Sequence, residues 1–282
     1  TLNGWNALYD DNQQTVIALK KGKAAITLEP GGQIELSGAP LDNIHETCEE
    51  TTNHLIELKK LGNELNFILL GMGVEPNLGL DDFPWMPKQR YGIMKKYMHK
   101  VGTQGHHMMK RTCTNQVNID YSSEEDMVEK FRVMLNLEAI ATAMFSNSPF
   151  DQGKISKYKS LRSHFWHHTD PDRTGLLPFV FEKDFNFENY TNYALNVPMY
   201  FINRDHKYID MTNYTFKDYL EGRSTDIEHE ATLKDWEDHL TTLFPQARLK
   251  HYLEIRSMDA CNWDLICSQP AFWVGIIYDD EI

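Results

Sequence analysis

Four cysteines in 282 residues, at Cys48, Cys113, Cys261 and Cys267, are too few and too scattered for a dense disulfide framework or for paired CxxC zinc knuckles. Long apolar runs are missing as well: the longest late one, Ala271–Tyr278, falls well short of a membrane span. Positive charge is scarce, with 28 Lys and Arg against 41 Asp and Glu, and the net charge of −13 argues against a nucleic-acid backbone or an anionic membrane as partner. Gly71-Met72-Gly73-Val74-Glu75-Pro76 puts proline where a dinucleotide-binding loop needs its third glycine, and there is no GxxxxGK(S/T) loop. Neither a Rossmann nor a P-loop site is supported. No Ser or Cys sits in a recognisable nucleophile elbow. His164, His167 and His168, with the pair His106-His107, have a spacing zinc could use on a helix, but no HExxH motif accompanies them. With no signal peptide before Thr1 the expectation is a reducing, cytoplasmic address, in which the sequons at Asn189 and Asn213 carry little weight.

What is present is a hydrophobic content of 41% and an aromatic content of 12%, enough to bury a substantial core. Strand and helix signals mix without repeat or low-complexity linker, so one α+β domain over residues 1–282 is expected. Leu41, Ile44, Cys48, Leu55 and Leu58 recur at helical multiples, with Cys48 on the apolar face. Residues 65–73 read as a buried strand and residues 87–100 as a short helix led by Pro87. Ser122-Ser123-Glu124-Glu125 caps a helix carrying Met127, Phe131 and Met134, residues 147–153 read as loop, and Thr232 opens a helix with Trp236, Leu240 and Leu243 that Pro245 ends.

Three segments carry chemistry. In Glu29-Pro30-Gly31-Gly32-Gln33-Ile34-Glu35 the Pro-Gly-Gly turn brings two carboxylates toward one space, and strand alternation puts Gln33 and Glu35 on one face. Hard divalent cations prefer such oxygens, although a plain turn entering a surface strand accounts for the same residues. Residues 114–120 set Gln116, Asn118 and Asp120 opposite Val117 and Ile119. Residues 248–256, read as one strand, set Lys250, Tyr252, Glu254 and Arg256 opposite Leu249, Leu253 and Ile255. A solvated outer face explains these patterns; so does a concave sheet whose polar side is an active site, and the mix of amides, carboxylates and arginines favours the second.

The blocks EPGGQIELSGAP, MPKQRYGIM, KRTCTNQVNIDYSSEEDM, SLRSHFW, DPDRTGLLPFVF and RLKHYLEIR through QPAFWVG resemble, in order, glutamate–cysteine ligase of the plant and proteobacterial type, over nearly the whole chain. The resemblance implies a glutamine-synthetase-like carboxylate-amine ligase fold, a curved antiparallel sheet flanked by helices. It also implies an ATP-dependent, magnesium-requiring reaction joining the glutamate γ-carboxylate to the cysteine amine through γ-glutamyl phosphate, the first step of glutathione biosynthesis. By the same resemblance Glu29, Glu35 and Glu254 are expected to bind magnesium. Arg256 is expected to reach the transferred phosphate, with Arg111 and Arg173 as further phosphate contacts. Arg90 and Arg162 would hold substrate carboxylates, Arg162 also taking part in catalysis, Tyr200 would line the cysteine pocket, and Gln116 and Asn118 would complete the substrate site.

The expected partners are glutamate, cysteine and ATP, the assembly a monomer or homodimer, and the address cytoplasmic, or plastid for a plant-like source. Of the two regulatory cysteine pairs of the plant enzymes, one is absent, its positions reading Met211 and the cysteine-free stretch 223–229. Cys48 and Cys267 occupy the positions of the other, and geometry decides whether they pair. The family's early metal-binding strand is expected upstream of Thr1 and further chain beyond Ile282, so the sequence reads as a fragment of a longer enzyme. Two alternatives stay open: a related ligase that uses another amine, and an inactive truncated homologue that only binds ligand.

Overall fold

Left-handed glycines at Gly22 (φ 58°) and Gly32 (φ 87°) reverse a β-rich stretch twice, and the result is a run of antiparallel hairpins. In the computed structural model, which describes residues 4–9 and 15–279, strands β1 (Asn6–Tyr9), β2 (Val16–Lys21), β3 (Ala24–Leu28) and β4 (Ile34–Ser37) form a sheet in that order. Helix α1 (Ile44–Leu65), capped by the Asn43 side chain, follows. It is tied to the sheet by Trp5 Nε1 donating to Glu57 Oε2 at 3.1 Å. Its N-terminal part is bonded through Cys48 to Cys267.

Next come α2 (Gln89–Val101), α3 (Gly105–Arg111), β5 (Val117–Ile119) and α4 (Glu124–Met144). The start of α4 follows from its cap: Ser123 Oγ accepts from Asp126 N, and the Asp126 carboxylate accepts from Ser122 N. A small hairpin, β6 (Phe150–Asp151) with β7 (Lys154–Ile155), leads to α5 (Leu161–His167) and β8 (Thr174–Gly175). The remainder is α6 (Phe187–Asn196), β9 (Phe201–Arg204), β10 (Lys207–Asp210), α7 (Phe216–Leu220), α8 (Leu233–Thr241), β11 (Phe244–Pro245), β12 (Ala247–Leu249), β13 (Leu253–Ile255), α9 (Trp263–Ile266) and α10 (Ser268–Ile277).

The architecture is α+β, as expected, but in place of one curved sheet there are several short ones among the described residues, all antiparallel except the pair β8 and β11. The central three strands run β12-β13-β5. Their apolar face, Val117, Ile119, Leu249, Leu253 and Ile255, packs in one core with Met127, Phe131, Met134 and Leu135 of α4 and with Trp273 of α10. Their other face carries the polar side chains.

Two expectations need correction. Residues 65–73 form no strand: α1 continues through Leu65 to a left-handed cap at Asn66, and Ile68 beyond it is 87% exposed. Helical periodicity extends unbroken into this run, and only Val74 finds a β partner, in a bridge to Thr112. Residues 248–256 are not one strand but the hairpin β12–β13, reversed at Lys250, whose N donates to Tyr252 O at 2.8 Å. Alternation cannot tell the two apart, because a strand and a tight hairpin present the same period. The Glu29–Glu35 segment also lies in a different sheet from Glu254, not on a shared one.

Candidate active site

The β3–β4 loop is held from two sides. Gly32 N donates to Glu29 O (2.8 Å) and Glu29 N to Gln33 O (2.9 Å), the closure of a three-residue hairpin loop ending in a left-handed glycine. Gly31 presses on the end of α3 so closely that a Cβ would overlap the Lys110 carbonyl oxygen. Gln33 locks this contact, donating from Nε2 to the carbonyls of Met109 (3.2 Å) and Thr112 (3.1 Å). From the other side Lys88 Nζ, at the start of α2, donates to Leu28 O at 2.8 Å, and Met86 N donates to Pro30 O at 2.9 Å. Gln33 is thus an anchor, and it aims Glu29 and Glu35.

Glu29 is half-buried and Glu35 exposed. Burial first, then the Glu35 charge, push the Glu29 carboxyl above the usual carboxylate range, against the opposing pull of Lys88, Arg90 and Arg256. Neither carboxylate has an ion pair within 4.0 Å among the described residues, although Lys88, Arg90 and Arg256 act on Glu29 from further off.

The polar face of the central sheet lies nearby. Register sets Arg248, Glu254 and Asn118 side by side across three strands. Glu254, 3% exposed, accepts from Arg248 Nε (2.9 Å), Lys250 Nζ (3.0 Å) and Arg256 Nη1 (2.6 Å). Burial would raise its pKa, but Arg256, Arg248 and Lys250 overcome that and hold it down to about 2. Its oxygens are committed to protein cations, and among the described residues no three His, Cys, Asp or Glu side chains converge on a metal position.

Arg162, on α5, is 2% exposed and has no carboxylate within hydrogen-bonding distance among the described residues. Its Nη1 donates to Ser257 O (3.0 Å) and its Nη2 to Arg256 O (2.7 Å), so it fixes the backbone that carries Arg256. Burial pulls the guanidinium down to about 10, only partly offset by Asp259 and made worse by Arg256. The Nε groups of Arg162 and Arg256 are buried and unpartnered, and so is Nε1 of Trp166. Both guanidiniums lie against the Trp166 ring, 5.5 Å and 5.6 Å from its centre. These are two guanidinium N–H donors and the indole's own, all buried without a hydrogen-bond partner among the described residues.

The remaining expected residues divide. Arg90, in the first turn of α2, lies within the field of Glu29 and over the Tyr91 ring. Asn118 is exposed and Gln116 half-buried at the open edge of the polar face. Arg111 is already paired with Asp151 (2.8 Å) and with His107 Nδ1 (3.0 Å). Arg173, fully buried, donates to Asp170 Oδ2 (2.5 Å) and Pro198 O (2.7 Å), and stacks 3.8 Å from the Tyr200 ring centre. Tyr200 itself is 1% exposed, its hydroxyl directed at Met98 Sδ. Burial raises its pKa, against Arg173.

Residues 5–282 match the Glutamate-cysteine ligase family 2, GCS2. The chain belongs to this family. Glutamate–cysteine ligase B, chloroplastic, of Oryza sativa subsp. japonica is 54% identical over 278 residues, which are 98% of this chain and 56% of that protein. The chloroplastic glutamate–cysteine ligases of Medicago truncatula (56% over 266 residues; 94% of this chain, 52% of that one) and Arabidopsis thaliana (54% over 267; 94% and 51%) are similar to the same extent. The chain spans about half the length of the curated relatives it matches.

Three residues of the candidate site escaped sequence reasoning. Trp166 stands four residues after Arg162 on one helix, a spacing that signals a shared face. Asp259 accepts from Ser148 Oγ (2.6 Å), Ser160 Oγ (2.8 Å) and Asn147 N (2.8 Å), tying α5 to the end of β13, and nothing local in its sequence announces that. The thiol of Cys113 is pushed up to about 11 by burial; Arg162 draws it down, and Glu29 and Glu35 add to the rise.

Proposed function

We propose that this protein is a glutamate–cysteine ligase, joining the glutamate γ-carboxylate to the cysteine amine at the cost of ATP, the first step of glutathione biosynthesis. The observation that carries this reading is the anion-deficient cluster of Arg162, Arg256 and Trp166 beside the cation-deficient pair Glu29 and Glu35. A site that lacks both an anion and a cation suits a magnesium nucleotide and a carboxylate substrate. The glutamine-synthetase-like fold belongs to the same proposal, as does the plastid address borne in the names of the relatives.

In the first step a γ-carboxylate oxygen of glutamate attacks the terminal phosphorus of ATP, the bond to ADP breaks, and an acyl phosphate forms. In the second the cysteine amine attacks the acyl carbon, phosphate departs, and the amine proton leaves with it or to water. Both steps concentrate negative charge on phosphoryl or acyl oxygens. Arg256 and Arg162 would meet that charge with their free Nε groups, while Arg90 holds a substrate carboxylate by a planar fork. Glu254 keeps Arg256 in place. Magnesium characteristically takes one or two carboxylates together with substrate phosphates, so Glu29 and Glu35 fit it as they stand, and it would neutralise phosphate charge there. Glu254 is left out of that pair because three cations already use it. Asn118 and Gln116 complete the substrate edge. Arg111, Arg173 and Tyr200 would act from behind it, by holding the walls.

The test is ADP release by the full-length protein with each component withheld in turn. Release that requires glutamate, cysteine and magnesium together supports the ligase; release indifferent to cysteine refutes it. Product analysis with other amines separates the related ligase, and binding of glutamate or nucleotide without any product identifies an inactive homologue.

A further inference from the structure

Charge in this chain is segregated. Residues 83–119 and 152–169 contain no Asp or Glu, yet hold eleven of the 28 Lys and Arg and six of the 12 His. The rest of the sequence is left with 17 basic residues against all 41 acidic ones.

The fold brings the two acid-free stretches together. Between α2 and α3 the N–H groups of Thr103 and Gln104 both donate to His168 O, each at 3.0 Å. Gly102 packs so tightly there that a Cβ would overlap the Thr169 carbonyl. Lys95, Lys96, His99 and Lys100 are exposed on α2, and Lys154, Lys157, Lys159, His167 and His168 on the other stretch. Within the second group a row of rings joins its members: Lys157 lies 5.0 Å from the Tyr158 ring, Tyr158 stacks on His164 at 4.2 Å, and His164 faces His168 at 4.3 Å.

None of these six lysines has a carboxylate partner among the described residues; the ion pairs lie elsewhere, as at Lys130–Asp126, Lys234–Asp238 and Lys250–Glu254. Lys96 and Lys100 stand one turn apart on α2, where like charges destabilise a helix. The clustering of like charge is therefore not neutralised within the fold among the described residues, although Lys95 and Lys157 each lie over an aromatic ring.

We propose that this face docks an acidic segment of a partner protein. Its exposed cations are lysines, mobile point charges suited to carboxylates. The arginines of the same stretches, whose forks would read phosphates, are buried or half-buried as Arg90, Arg111 and Arg162. The acidic remainder of the chain would repel a long polyanion running past the face, which selects a short acidic peptide over nucleic acid or a membrane sheet. The lysines used here lie outside the candidate active site, so the inference stands independently of the ligase reading.

The test is fluorescence anisotropy with a labelled oligoglutamate peptide and, in parallel, a labelled single-stranded oligonucleotide. Two charge-reversed variants are compared with the parent, Lys96→Glu with Lys100→Glu, and Lys154→Glu with Lys157→Glu; circular dichroism melting confirms that both are folded. Each pair of reversals is expected to weaken peptide binding by about tenfold or more, and added salt to weaken the parent's binding progressively. Peptide affinity unchanged in both variants overturns the proposal. So does oligonucleotide binding as tight as peptide binding, or sedimentation showing that the reversals only dissolve self-association of this acidic chain.

Discussion

Replacing Glu254 by Gln removes one charge from a cluster that contains three cations, and the structure states what that should cost. The carboxyl is held at about 2 against an ordinary 4.5: burial opposes its charge, and Arg256, Arg248 and Lys250 more than compensate. At about 1.4 kcal/mol for each tenfold in proton affinity, the ionised group contributes about 3 kcal/mol to the folded state at neutral pH. An independent route gives the same size, since breaking a buried ion pair by removing one partner costs about 3–5 kcal/mol.

A depressed folded pKa means that the stabilisation is complete above the unfolded value of 4.5 and disappears as pH falls toward about 2. Urea unfolding of Glu254→Gln and parent should therefore differ by about 3 kcal/mol at pH 7 and by less than half of that at pH 3. A difference under about 1 kcal/mol at pH 7, or one equally large at both pH values, would refute the counter-ion assignment. A metal ligand behaves otherwise: in protein without metal, loss of one of several clustered carboxylates is neutral or stabilising, because function and stability trade off at such sites.

Glu29→Gln should do the opposite, raising the melting temperature at neutral pH, because burial and Glu35 already disfavour the Glu29 charge, while magnesium-dependent ADP formation falls. In the parent, magnesium affinity measured by calorimetry should decline with acid at a higher pH than for an ordinary carboxylate, since the raised pKa protonates Glu29 early; a titration unchanged by Glu29→Gln would sink this. Gly31→Ala pushes a Cβ into the Lys110 carbonyl and should cost about 1–3 kcal/mol in urea unfolding by lifting the hairpin off α3. Reducing the Cys48–Cys267 bond, which closes 219 positions of chain, should cost about 2–5 kcal/mol, with a Cys48→Ser variant insensitive to reductant.

Much of the local structure was legible because it rests on neighbours in sequence. Pro87 and the Ser123 cap place α2 and α4 within a residue or two of where they lie. The polar faces of β5 and β13 follow from alternation of Gln116, Asn118, Glu254 and Arg256 with apolar residues. What was illegible depends on partners distant along the chain. The tie of Gln33 to Met109 and Thr112 makes an anchor of a residue that the turn alone presents as a ligand. Asp170 and Pro198 enclose Arg173, although a sequence shows only an arginine in a polar stretch. The strand expected at 65–73 failed for the same reason: without a partner beside it, apolar character is not a β-strand.

The glutamates show how the same residue type acquires separate tasks. As a sequence pattern, Glu29, Glu35 and Glu254 are three equivalent metal ligands. In the fold, Glu254 lies among three cations and is driven to the ionised extreme, so its proton affinity is spent on holding Arg248 and Arg256. Burial first, and then the Glu35 carboxylate, drive Glu29 the other way. Environments that push two like groups in opposite directions sort them into an internal counter-ion and an available ligand. Arg162 and Arg256 complete the argument from the positive side, since their unpartnered Nε groups are what remains once Glu254 and the backbone carbonyls have taken their share. In the proposed ligase the carboxylate pair and this group of N–H donors would be the two halves that a metal-bound phosphate requires.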